Sequence, residues 1–239
     1  MKKHTTKTMV MLTALIGTLS IGGIMAYFTD GDTAMNTFTV GKISLDLQEP
    51  NWIPPTNIVP EQEFAKNPQI KNDGLNEEFV FMKVTVPYAN IVTANEDGSK
   101  NPATDTELFS YNVKKGWTEL VSEQVKDTEN KTITHLYAYT GDYATSMEAL
   151  DVNETTPSLF DYVRFANVVE DQQIEAKTLD VVVNAYGIQT TNLNDGKAGL
   201  DGDNSDGKVA PMDVWEILKN QSPSLDVSTN EHVHTDVKQ

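Results

Sequence analysis

The sequence predicts an all-β protein, a jelly-roll-like antiparallel β-sandwich with a few short helices. Three observations predict it. Apolar residues recur at every second position in the longest apolar stretches, the spacing of strands covered on one face. Turn signals divide the chain into short pieces: Asn72-Asp73-Gly74, Asp97-Gly98, Lys115-Gly116 and Gly141-Asp142. The 239 residues include no cysteine, so stability must come from a packed core and not from disulfides.

The chain opens on Lys2, Lys3 and Lys7, followed by an uncharged run from Thr8 to Met25 and small residues at Gly22, Gly23 and Ala26. This is the pattern of a secretory signal peptide over residues 1–26, with cleavage between Ala26 and Tyr27. An uncleaved anchor is the competing reading, because about 18 apolar residues is near the lower limit for spanning a bilayer. Thr, Ser and Gly dilute the run, and no basic cluster follows it. Removal of residues 1–26 takes three of the 18 basic residues and none of the 35 acidic ones, leaving a net charge of −20. Such a surface repels nucleic acid and anionic lipid, favours solubility and attracts divalent cations.

Residues 27–221 read as one β domain. An alternation through Phe38, Val40, Ile43, Leu45 and Leu47 predicts its first full strand. Four prolines between Gln48 and Pro60 exclude an interior strand there and predict an ordered loop. In Glu78–Pro87, Val80, Met82, Val84 and Val86 share one face, while Phe79 and Phe81 lie on a second face that turns polar at Lys83 and Thr85. Shorter strands are predicted over Asn67–Asn72, Leu108–Val113, Thr118–Gln124, Lys131–Tyr139 and Tyr162–Val169. A late strand is predicted over Lys177–Gln189, with Leu179, Val181, Val183 and Ala185 on one face. Pro211 opens a helix with Val214, Ile217 and Leu218 at helical spacing, Asp213 in the first turn and Lys219 in the last. A second short helix is predicted over Tyr143–Leu150. The polar, unpatterned residues 222–239 read as a disordered tail.

The stretch AYFTDGDTAMNTFTVGKISLDLQEPNW resembles the N-terminal signature of secreted Gram-positive proteins of the TasA/camelysin family. The matching positions are Phe28-Thr29-Asp30 after the signal cut, then Asn36, Phe38, Gly41, Ile43, Leu45 and Leu47. QIKNDGLNEEFVFMKVTVP and KTLDVVVNAYGIQT fit later stretches of that family in the same order. The resemblance implies a jelly-roll domain and processing by a SipW-type signal peptidase. It also implies extracellular localisation, in the biofilm matrix or at the cell surface, and polymerisation with copies of itself into fibres, with an accessory matrix protein as a further partner. In such fibres the mature N-terminal segment is donated as a strand to the neighbouring subunit. That gives a reason for the short spacer after the cut, since a donated strand must be free as soon as cleavage releases it. The donor segment is assigned to Tyr27–Asn36, with Tyr27, Phe28 and Met35 as pocket-filling side chains, and Phe38–Leu47 to the domain's own first strand.

Two other readings compete. Camelysin-type proteins are described as metallopeptidases, but the sequence has no H-E-x-x-H. Its histidines are His4 in the signal, His135 in a predicted strand, and His232 and His234 in the tail. A cysteine nucleophile is excluded, and no Ser/His/Asp arrangement is recognisable, so catalysis is not expected. The third reading is a monomeric calcium-binding adhesin. DNSDGKVAPMD resembles the second half of a calcium loop, with Asn204, Asp206, the Lys208 carbonyl and Asp213 as ligands and Gly207 at the turn. Asp201 or Asp203 would supply the first carboxylate, so Ca2+ is the one candidate cofactor.

Overall fold

The computed structural model describes residues 29–31 (as backbone), 44–53, 58–143, 145–170, 172, 174, 179–191, 193 and 209–222. Twelve strands lie among them. In chain order they are β1 (Thr29–Gly31), β2 (Leu45–Gln48), β3 (Glu63–Ala65), β4 (Gln69–Asn72), β5 (Glu78–Ile91), β6 (Thr104–Glu107), β7 (Phe109–Ser110), β8 (Trp117–Glu119), β9 (Val125–Asp127), β10 (Thr132–Tyr139), β11 (Tyr162–Phe165) and β12 (Val182–Gln189). One helix, α1 (Pro211–Gln221), follows. The largest sheet has the order β1-β12-β5-β10-β8, with β6 beside the end of β5 and β9 beside the end of β10. A three-stranded sheet, β3-β11-β7, and the pair β2-β4 complete the set. Every pairing between these strands is antiparallel.

The alternation in β5 determines the layering. Val80, Met82, Val84 and Val86 are fully buried in one core cluster with Ile70 of β4, Phe64 of β3, and Val163 and Phe165 of β11. The large sheet therefore packs over the two smaller ones as a sandwich. Val183 and Ala185 join this core, with Leu179 and Val181 partly buried against it. Phe79 and Phe81 point the other way, into a second cluster with Leu136, Ala138, Ile188, Val214, Trp215 and Leu218. α1 thus covers the outer face of the large sheet. The Trp215 ring lies 5.2 Å from Phe81 and 6.0 Å from Tyr186, and Lys83 Nζ stands 5.1 Å and 5.3 Å from the Trp215 and Tyr186 rings. An ammonium held over two aromatic rings lets Lys83 be buried on what the sequence presents as a polar position.

Several elements differ from expectation. β5 runs through Pro87 to Ile91. β12 ends its pairing with β5 at Thr85, and β6 begins its own at Tyr88. On that side Pro87 falls in the gap, where no ladder partner needs its missing N–H, and its carbonyl accepts Leu108 N–H at 2.8 Å; on the other side it pairs with Thr132 of β10. Residues 143 and 145–150 form turns and a single bridge, Glu78 to Leu150, not a helix. Thr118–Gln124 is not one strand: β8 ends at Glu119 and a 3-10 turn, Val121–Glu123, leads to β9. Leu108–Val113 is strand only at Phe109–Ser110, where the chain crosses from one sheet to the other. The strand predicted over Lys177–Gln189 begins at Val182. Of the predicted first strand, Phe38, Val40 and Ile43 lie outside the described residues, while Leu45 and Leu47 stand in β2 with Leu45 in the core.

Candidate assembly edge

β12 sits between β5 and the edge of the large sheet. Its eight residues pair with β5 along their whole length. On its other side, Thr29, Asp30 and Gly31 pair antiparallel with Ile188, Gly187 and Tyr186. Three residues of the predicted donor segment therefore form a strand on this chain's own edge. Among the described residues, no strand faces Val182–Ala185 on that side. Val182 is 38 % exposed there, an open β-branched position beside a partly covered edge.

The edge is shaped by what packs around Gly187. A Cβ at Gly187 would stand 2.8 Å from Leu45 Cδ1 and 3.1 Å from Glu78 Oε2, so β2 approaches β12 only because the position has no side chain. Glu78 is fully buried, and its Oε1 accepts Ser44 N–H at 3.2 Å. On the opposite face α1 lies against Tyr186 and Ile188, the residues opposite Gly31 and Thr29. Burial beneath the helix pushes the Tyr186 phenol up to about 12. Beside it, Glu123 Oε2 accepts from Trp215 Nε1 at 2.9 Å and Lys219 Nζ at 3.0 Å. Burial opposes the charge on Glu123, but these two donors hold its carboxyl below the ordinary carboxylate range.

A second polar cluster lies away from this edge. His135 of β10 is 8 % exposed and sits opposite Val84 of β5. Its Nδ1 is 2.7 Å from Glu119 Oε1 and 3.2 Å from Gln124 Nε2, and its Nε2 is 3.2 Å from both Glu107 carboxylate oxygens. The Tyr111 ring meets the imidazole edge-on at 6.3 Å, and the Tyr111 and Tyr137 hydroxyls are 2.9 Å apart. Burial holds both phenols well above the usual tyrosine range. Periodicity places His135 in a strand, but no local pattern marks its partners, which lie 28, 16 and 11 residues away.

The other predicted site residues divide simply. Ala26, Tyr27, Phe28 and Met35 lie outside the described residues, as do Asp201, Asp203, Asn204, Asp206 and Lys208. Asp213 is described and stands in the first turn of α1, where a carboxylate offsets the helix dipole. His4, His232 and His234 also lie outside.

The family model described as Camelysin metallo-endopeptidase matches residues 1–194. No curated protein and no solved structure matches the chain. The matched region takes in every described strand, from β1 to β12, and ends before α1: the chain belongs to the camelysin family.

Proposed function

We propose that this protein is a secreted structural subunit that polymerises into extracellular matrix fibres, its mature N-terminal segment adding as a strand to the β12 edge of a neighbouring copy. The observation that carries the reading is the pairing of Thr29–Gly31 with Tyr186–Ile188. An edge that accepts this segment from its own chain accepts the same segment from another with the same register and the same hydrogen bonds. Exchange between copies then needs no new surface, as in domain swapping, and extends head to tail into a filament. Export is supported by the basic, then uncharged, N-terminal run. Cleavage after Ala26 by a SipW-type signal peptidase would free the segment for donation.

The family's description implies a metal ion. Among the described residues, no group of three histidines or carboxylates is placed to hold one. The ring nitrogens of His135 are taken up by contacts with Glu119 at 2.7 Å and Glu107 at 3.2 Å. The described residues do not fit a metal ion, and no catalytic step is assigned to them.

The test is negative-stain electron microscopy of the mature chain beginning at Tyr27, beside a version lacking Tyr27–Asn36, each with and without calcium. Fibres from the first and monomers from the second are expected. Fibres from both would move the contact away from the N-terminal segment. Monomers from both, with chelator-sensitive cleavage of casein, would favour the peptidase.

A further inference from the structure

The His135 cluster is built so that one imidazole nitrogen has two rival partners. Glu107, the last residue of β6, lies against Nε2. At Nδ1, Glu119 at the end of β8 competes with Gln124, just past the 3-10 turn. A neutral imidazole carries one N–H, while an imidazolium carries two. Both carboxylates receive a hydrogen bond only when the ring is protonated. The neutral ring keeps its single N–H on one nitrogen or the other; the switch uses the tautomer whose N–H stays on the two oxygens of Glu107, in which Nδ1 is a lone pair. It then repels Glu119 and accepts from the Gln124 amide, which already lies 3.2 Å away.

We propose that His135 is a proton-operated switch at the β8 edge: protonated, it binds Glu119 and fastens β8 to the sheet; neutral, it takes Gln124 instead and releases Glu119. The element it controls is small. β8 is three residues long and pairs with β10 at Tyr137, Ala138 and Tyr139, with Glu119 itself opposite Tyr137. Loss of the charged bond frees the Glu119 end of the strand, while Trp117 stays bonded to the Pro157 carbonyl at 3.0 Å and Thr118 to Thr140 at 2.9 Å.

The surroundings isolate the switch. Val84 faces it from β5, and Tyr111 and Tyr137 close it from the β7–β8 connection and from β10. The next charges along, Lys126 of β9 and Asp105 of β6, are bonded to each other at 2.6 Å. Burial alone would lower the imidazole's pKa, but the bonds and charges of Glu107 and Glu119 outweigh it and raise the value above that of an ordinary histidine. The sign for stability follows. A raised folded value means the contribution is fully present below about 6.5, the ordinary value, and is lost as pH rises through the folded one.

The two rivals give the test, which uses NMR titration of the imidazole carbon-bound protons in the mature chain from Tyr27. The His135 signal is assigned as the one missing from H135Q. In the unaltered protein it should titrate above about 6.5, and the Leu120 amide, bonded to Leu136 carbonyl at 2.8 Å, should shift with the same midpoint. E119Q removes the rival that favours the charged ring and should lower the midpoint. Q124L removes the rival that favours the neutral ring and should raise it. Opposite displacements by two neighbours of one nitrogen are not expected of a histidine that merely fills space. The proposal is overturned if the unaltered protein titrates at or below the ordinary value. It is equally overturned if Q124L leaves the midpoint unchanged or lowers it.

Discussion

At the scale of single residues, Asn72 carries more of the fold than its place in a turn suggests. It is fully buried, and its side chain completes three backbone groups. Nδ2 donates to the carbonyls of Asn76 at 2.8 Å and Leu150 at 2.9 Å, and Oδ1 accepts Gly74 N–H at 2.8 Å. One amide thereby closes the β4–β5 turn and ties it to the segment leading into Leu150. N72A leaves the Asn76 carbonyl and the Gly74 N–H without these partners, while the Leu150 carbonyl keeps Glu78 N–H at 3.1 Å; each orphaned group costs about 1–3 kcal/mol. The expected loss is about 3 kcal/mol, read as a lower urea midpoint with an unchanged slope. N72D turns a carboxylate oxygen toward two carbonyl oxygens at a fully buried position, so it should lose at least as much as N72A. Equal stability of N72A and the unaltered chain would show that water replaces all three bonds.

At the scale of elements, α1 is held by a mixture of apolar burial and one ion-paired carboxylate. Trp215, Val214 and Leu218 are almost wholly buried on the large sheet, and Glu123 pins both Trp215 and Lys219 from the 3-10 turn. Because the Glu123 pKa is depressed in the fold, its contribution is present above the ordinary carboxylate range and is lost as pH falls through the folded value. Acid should therefore loosen the helix before it unfolds the sheets. The Trp215 indole N–H would lose exchange protection at a higher pH than the β5 amides do. E123Q should abolish that early step, and simultaneous loss of both signals would refute it. The helix boundaries were legible from Pro211 and the spacing of Val214, Ile217 and Leu218. Trp215 was not, because its partners Phe81, Tyr186 and Glu123 are distant in sequence. The same limit explains the rest. β5 and β12 could be read from period-two alternation, a local signal, and so could the two faces of β5. The breaks at Pro87, at Glu119 and after Ser110 depend on where neighbouring strands start and stop. The donor role of the segment ahead of the first full strand is an expectation from the family resemblance, and the pairing of its Thr29–Gly31 with β12 was visible only in the structure.

At the scale of the whole molecule, the proposed assembly would have to work against charge. In that assembly a chain without residues 1–26, with a net charge of −20, would meet an identical one across an edge whose hydrogen bonds act only at contact. Electrostatic repulsion acts farther out, over a screening length of about 30 Å at 0.01 M salt and about 8 Å at 0.15 M. Repulsion therefore slows the encounter, while strand pairing sets the stability of what forms. Growth of fibres from mature subunits, followed by light scattering, should speed up several-fold between 10 mM and 150 mM sodium chloride. Slower growth in salt would mean that opposite charges attract across the contact, against the strand-addition reading. Divalent cations separate screening from binding. At matched ionic strength, magnesium and calcium screen alike, so any advantage of calcium belongs to a site. The stretch from Asp201 to Asp213 is the candidate, and it ends in the first turn of the helix that lies against Tyr186 and Ile188. If D213N removes a calcium advantage while leaving the sodium chloride effect intact, the cation acts through the helix beside the receiving edge. If the advantage survives D213N, calcium acts elsewhere on an acidic surface.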